Sequence, residues 1–187
     1  MGRYTGPKGR INRRLGMNVY ESAGAIKASE RKEGPPGMHK RRKKETTYGA
    51  ALIEKQKIKF YYGFREEQLR RFYDRARKMP GNTGENLLIM CECRLDNAVR
   101  RAGFAVTRLQ ARQGVAHRHF QVNGVKVTKP SYLLRPGDVI TIRPRPNLLE
   151  RYRGMSAEGS PESLDWVTFD PETLRATVQG NPGPSDI

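Results

Sequence analysis

The chain has 187 residues, enough for one domain or two small ones, and 36 Lys and Arg stand against 19 Asp and Glu, a formal net charge of +17. That surplus excludes an ordinary acidic enzyme as the starting point and draws polyanions to the protein, either nucleic acid or an anionic membrane. The membrane option weakens: no apolar run approaches the roughly 20 residues of a span, MGRYTGPKGRINRRLG lacks the apolar core of a secretory signal, and Gly6 stands where a myristoylation pattern needs Ser or Thr.

The charge is uneven. Residues 1–80 carry net +14, residues 81–150 net +6 and residues 151–187 net −3, so the N-terminal part is the main electrostatic footprint. Residues 1–48 read as an extended, irregular basic arm. Gly and Pro recur there (Gly6, Pro7, Gly16, Gly34, Pro35, Pro36, Gly37), large apolar residues are sparse, and the segment is not expected to build its own core. It holds the run His39-Lys40-Arg41-Arg42-Lys43-Lys44, which is either a solvated charged stretch or a phosphate-binding arm.

Residues 49–92 read as a helical domain. Leu52, Ile53, Gln56 and Phe60 form one stripe at helical spacing. Phe64, Leu69, Phe72 and Tyr73 form a second, with a break at Gly63. The basic residues among them are either solvated or face RNA. A short helix follows from Thr83. Residues 93–145 then give a helix pair and a small antiparallel sheet. The first helix, Arg94–Ala102, ends where Gly103 supplies a left-handed cap. The second starts at Thr107, with Gln110 three residues on completing a capping box. Phe120 and Val122 alternate with Gln121, Asn123-Gly124 predicts a two-residue hairpin, and Val139–Ile142 reads as a further strand. Residues 146–187 hold scattered elements, expected to pack on the module or on the helical domain. The fold class is therefore α+β.

Catalytic and metal signals are weak. Cys91-Glu92-Cys93 offers two thiols, whereas structural zinc wants four ligands, so no metal is expected. The one-residue spacing disfavours a mutual disulfide, and a reducing cytoplasm is the simplest compartment. No phosphate-cradling glycine loop of the P-loop type occurs, no cofactor is expected, and the chain reads as a non-enzyme.

Residues 94–142 resemble the small RNA-binding module named after small-subunit ribosomal protein four. The matching pieces are Arg94-Leu95-Asp96-Asn97, Ala111-Arg112-Gln113, His117, Val122-Asn123-Gly124 and Pro136-Gly137-Asp138. Pseudouridine synthases, some tRNA synthetases and small RNA chaperones also carry that module. The flanks Arg3-Tyr4-Thr5-Gly6-Pro7, Arg13-Arg14-Leu15-Gly16, Pro35-Pro36-Gly37-Met38-His39, Glu54-Lys55-Gln56-Lys57 and Tyr62-Gly63 resemble the bacterial or organellar ribosomal protein family itself. With no cysteine before Cys91, the chain is similar to the zinc-free form of that family, whose arm would be ordered by RNA. Family members usually continue further, with a strand and helix that return to the helical domain, so the closure between domains is expected to differ.

The resemblance implies a structural constituent of the small ribosomal subunit. It would bind small-subunit ribosomal RNA directly at a multi-helix junction in the five-prime domain, nucleate assembly and influence translational fidelity. The implied partners are small-subunit ribosomal proteins three and five, and messenger RNA near its entrance channel, on a cytoplasmic or organellar ribosome with no membrane role. The alternatives are a free-standing RNA chaperone or stalled-ribosome factor, and a DNA- or membrane-surface-binding basic protein.

A folded RNA junction crowds phosphates from several helices, and Arg suits it because its planar fork bonds phosphate bidentately and stacks on bases. The expected RNA contacts in the module are Arg94, Asn97, Arg100, Arg101, Arg108, Arg112, Gln113 and His117, with His119 beside them. In the helical part they are Lys55, Lys59, Arg70 and Arg71, with Tyr61 and Tyr62 as either contacts or core. In the arm they are Arg3, Tyr4, Lys8, Arg10, Arg13, Arg14 and the run Lys40, Arg41, Arg42, Lys43 and Lys44.

Overall fold

The computed structural model describes residues 4–32, 34–38, 44, 46–158, 164–183 and 186. The architecture is α+β, as expected. The chain divides into two compact units, Met1–Arg71 and Phe72–Ile187.

In the first unit, residues 8–30 depart from the irregular reading. Helix α1 (Lys8–Leu15) starts after Pro7, whose fixed φ suits a helix start, and stops at Gly16, which is left-handed at φ 67°. Helix α2 (Ala23–Glu30) crosses it closely. A Cβ on the buried Gly9 would lie 2.7 Å from Ala28 Cβ, so only glycine permits this approach. The turn between them is locked by Asn12. Its Oδ1 accepts from the Tyr20 amide (2.9 Å) and its Nδ2 donates to the Tyr20 carbonyl (3.1 Å). Ile11, Leu15, Val19, Tyr20 and Ala25 are buried, so this segment does form a small core. Helix α3 (Thr47–Tyr61) is capped by Thr46 Oγ1, which accepts from the Gly49 amide. Gly63, at φ 64°, breaks the chain before helix α4 (Glu66–Arg77), where the stripe pattern placed the break.

The second unit is built on a five-stranded antiparallel sheet. Helix α5 (Thr83–Glu92) is capped by Asn82, helix α6 (Leu95–Arg101) is followed by left-handed Gly103, and helix α7 (Arg108–Ala116) is capped by Thr107 Oγ1, which accepts from the Gln110 amide. The Gln110 side chain reaches one residue past the cap and accepts from the Val106 amide at 3.2 Å. Strands β1 (Phe120–Val122) and β2 (Val125–Lys126) meet at Asn123-Gly124, with φ 51° and 77°. Asn123 is also pinned by its side chain, which donates to Asp138 Oδ1 and accepts from the Val139 amide. Strand β3 (Val139–Ile142) pairs with β1, opposing Phe120 to Ile142.

The region read as scattered elements contains a helix and two strands. Helix α8 (Pro146–Glu158) starts at a proline, which suits the first helical position. Strands β4 (Val167–Asp170) and β5 (Arg175–Val178) join the same sheet, in the order β2-β1-β3-β5-β4. Residues past 146 thus complete the module. Trp166, Val167, Leu174, Ala176 and Val178 share one core with Leu95, Val99, Phe104, Val115, Phe120 and Ile140. Phe104 contacts Phe120, Tyr152 and Phe169 edge-on at 5.6, 6.5 and 4.8 Å between ring centroids.

Candidate nucleic-acid interface

The helix pair α6–α7 is joined by a buried ionic network. Glu92, the last residue of α5, is fully buried, and its carboxylate takes a bidentate fork from Arg101 at 3.0 and 3.1 Å. Asn97 Nδ2 donates to the same carboxylate, while Asn97 Oδ1 accepts from Arg108 Nε at 2.8 Å. Beside this runs a second chain. Asp96, 6% exposed, accepts two bonds from Arg94 at 3.0 and 2.6 Å and a third from Arg112 Nη1 at 3.1 Å. Arg108 and Arg112 sit four residues apart and therefore share one face of α7. Asn97 and Asp96 tie that face to α6. The two chains gather four guanidinium groups and two carboxylates, with the half-buried Arg100 adjacent in sequence.

This places the predicted module residues in two groups. Arg94, Asn97 and Arg101 are buried and spend their side chains on Asp96, Glu92 and Arg108, so they face inward and are not presented at a surface. A buried charge survives only when paired, which is what these carboxylates supply. Arg100, Arg108 and Arg112 are half-buried, and Gln113 and His117 are exposed. His119 is half-buried. Its Nδ1 lies 2.9 Å from the Tyr152 hydroxyl, and burial, then Arg151, His117 and Arg145, hold its pKa below the ordinary value.

Helix α7 ends in a six-to-one cap. The Arg118 amide donates to the Val115 carbonyl and the His119 amide to the Gly114 carbonyl, both at 3.0 Å. The left-handed residue of this cap is usually glycine. Here it is Arg118, at φ 66° and exposed. Arg118, Arg145 and Arg151 are exposed cations in the neighbourhood of His119 that the sequence reading did not single out. Only the charge of Arg118 between two histidines pointed to it; Arg151 lies in α8, a helix the pattern did not reveal, and Arg145 just precedes it.

In the first unit, Lys55 and Lys59 both bond the exposed Glu66, Lys59 at 2.9 Å, and these two lysines hold the Glu66 carboxyl below its usual pKa. Arg70 and Arg71 are exposed on α4, Tyr61 is half-buried and Tyr62 is core. Arg10 and Arg14 are exposed on α1 and Lys8 is half-buried. Arg13 donates to the carbonyls of Gly34 and Pro35 at 2.9 and 3.2 Å. Tyr4 stacks on Tyr20 with centroids 6.2 Å apart. Lys44 is exposed, while Arg3 and Lys40, Arg41, Arg42 and Lys43 lie outside the described residues.

Among the described residues, no group of three or more His, Cys, Asp or Glu gathers as a metal site, and no helix is long and apolar enough to cross a membrane. Cys91 and Cys93 are free and buried. Burial pushes their thiols up to about 12 and about 11, which keeps them protonated and poor as ligands or nucleophiles.

Residues 3–92 match the family model of the ribosomal protein S4/S9 N-terminal domain, and residues 93–140 match that of the S4 domain. The chain is similar to the small ribosomal subunit protein uS4 of Rhodopirellula baltica, 62% identical over 187 residues covering 100% of this chain and 93% of the relative. It is 47% identical to uS4 of Sulfurihydrogenibium sp. over 183 residues, covering 95% and 88%, and 47% identical to uS4 of Aquifex aeolicus over 184 residues, covering 95% and 87%.

Proposed function

The chain belongs to the uS4 family of ribosomal proteins, and from that premise we propose that it is a non-catalytic structural constituent of the small ribosomal subunit that binds small-subunit ribosomal RNA directly. Its site is a multi-helix junction in the five-prime domain, where it nucleates assembly and influences translational fidelity. Ribosomal proteins three and five and messenger RNA at its entrance channel are its neighbours, on a cytoplasmic or organellar ribosome.

The observation that carries this reading is the α6–α7 face. Arg108 and Arg112 are fixed from below by Asn97 and Asp96, so their guanidinium groups meet RNA with little rotamer entropy left to lose. Arg100, Arg108, Arg112, Gln113, His117 and Arg118 touch the RNA. Arg94, Asn97 and Arg101 hold them in place. A chaperone built on the module alone has no need of the N-terminal region, and the match over residues 3–92 supports the ribosomal reading over it.

Chemical footprinting of purified small-subunit ribosomal RNA at two salt concentrations tests this. Protection confined to one multi-helix junction and surviving the higher salt is expected. Diffuse protection that vanishes with salt would refute site-specific binding. Arg108→Gln and Arg112→Gln should each lower the log–log salt slope by about 1, the loss of one phosphate contact.

A further inference from the structure

We propose that the first unit carries a separate recognition site, a groove that takes one unpaired nucleotide, with its phosphate on Arg10, Arg14 and Lys32 and its base against Tyr4. The inference rests on the RNA-binding reading above and names a second class of contact within it. The groove has a volume of about 900 Å³, at the upper end of the range, about 300–1,000 Å³, of sites that enclose small organic ligands.

Its lining is of two kinds. Arg10, Arg13, Arg14 and Lys32 supply positive charge, and among the described residues no acidic side chain lines it. Tyr4, Phe60, Pro35 and Pro36 supply flat apolar surface. Arg10 and Arg14 are one helical turn apart on α1 and both exposed, whereas Arg13 is tied to the carbonyls of Gly34 and Pro35 and so fixes the proline wall to α1. Lys32 arrives from beyond α2, carried there by the α1–α2 crossing.

Tyr4 is held for presentation. One face stacks on the buried Tyr20, Phe60 meets it edge-on at 5.7 Å, and the residue stays 37% exposed. The chain allows this only because residue 6 is glycine: a Cβ there would lie 2.6 Å from the Tyr4 hydroxyl oxygen and 2.7 Å from Cζ. A ligand that satisfies both linings must join an anion to a flat ring. A nucleotide splayed out of its stack does so, and RNA recognition commonly stacks such bases on aromatic side chains. A phosphate backbone alone would leave the aromatic surface uncovered.

Titration of the full chain with adenosine monophosphate and with ribose 5-phosphate, followed by amide NMR shifts over residues 4–36, tests the assignment. The monophosphate should bind about tenfold more tightly, the gain of one base stack. Arg14→Gln with Lys32→Gln, both at exposed positions, should weaken both ligands. Gly6→Ala, which drives the Tyr4 ring out of place, should remove the nucleotide's advantage and spare the sugar phosphate. Equal affinities for the two ligands would overturn the proposal, leaving a site for phosphate alone. Shifts confined to residues outside the groove would overturn it too. So would tighter binding of an acidic peptide bearing one phenylalanine, which would point to a protein partner. If the same preparation still binds small-subunit ribosomal RNA, only the groove assignment falls; if it does not, the RNA-binding reading falls with it.

Discussion

Replacing Glu92 by glutamine keeps the size and shape of the side chain and removes one charge. In the folded protein that charge has no contact with water, and the Arg101 fork it receives is 10% exposed. Arg101 would then be left buried beside a neutral amide. Breaking a dry ion pair from one side costs about 3–5 kcal/mol, a large share of the roughly 5–15 kcal/mol that holds a typical domain together. For a unit of this size the unfolding midpoint should fall by about 12–20 °C. The single tryptophan, Trp166, is 2% exposed and belongs to the same core, so its fluorescence reports the unfolding of the second unit without a signal from the first. The paired replacement Glu92→Met with Arg101→Met removes both charges together and should recover most of the loss. A Glu92→Gln protein within about 1 kcal/mol of the parent would refute the argument, because it would mean that water reaches the pair.

Three further outcomes are expected. Arg118→Gly should raise the urea midpoint of the second unit, since a non-glycine residue held at positive φ costs on the order of 1 kcal/mol, while RNA affinity falls; an unchanged or lower midpoint would mean that the arginine is not strained. The His119 pKa lies below its ordinary 6.5, so the unfolded chain binds a proton the folded one refuses, and stability should rise with pH across that interval. Urea midpoints between pH 5 and 8 should therefore drop as pH falls through about 6.5, less steeply in His119→Gln, and an equal slope in both proteins would exclude this histidine as the cause. Cys91 and Cys93 should resist iodoacetamide at pH 8 in the fold and react on addition of denaturant, and rapid alkylation of the native protein would contradict their burial.

What could be read from the sequence was local. The Thr107 cap, the Gly63 break and the Asn123-Gly124 turn depend on residues within four positions of one another, and each stands where the pattern placed it. Helices α1 and α2 were missed because their core is assembled from few large side chains and from Gly9 against Ala28, a contact 19 residues apart that no hydrophobic stripe displays. Strand β5 lies between β4, its neighbour in sequence, and the distant β3, and nothing in its four residues specifies that second pairing. The site was legible as a population of arginines and illegible as an arrangement. Pattern reading takes a charged residue for a surface one, whereas Glu92 and Asp96 are interior and decide which arginines face outward. Lys32 stands 18 residues from Arg14, and only the helix crossing brings both to one groove.

The strand order also bears on the timing of synthesis. Chains emerge from their N-terminus, and domains tend to acquire structure in that order. The first unit is complete once α3 and the start of α4 are available. The module's sheet must wait much longer. Until residues 167–178 are made, β3 has an open edge along Val139, Ile140 and Thr141, and the apolar surface later covered by Trp166, Leu174 and Val178 is bare. A nascent chain paused just after β3 therefore exposes a template for adventitious pairing. The basic helix face would already exist in outline, on a support not yet closed.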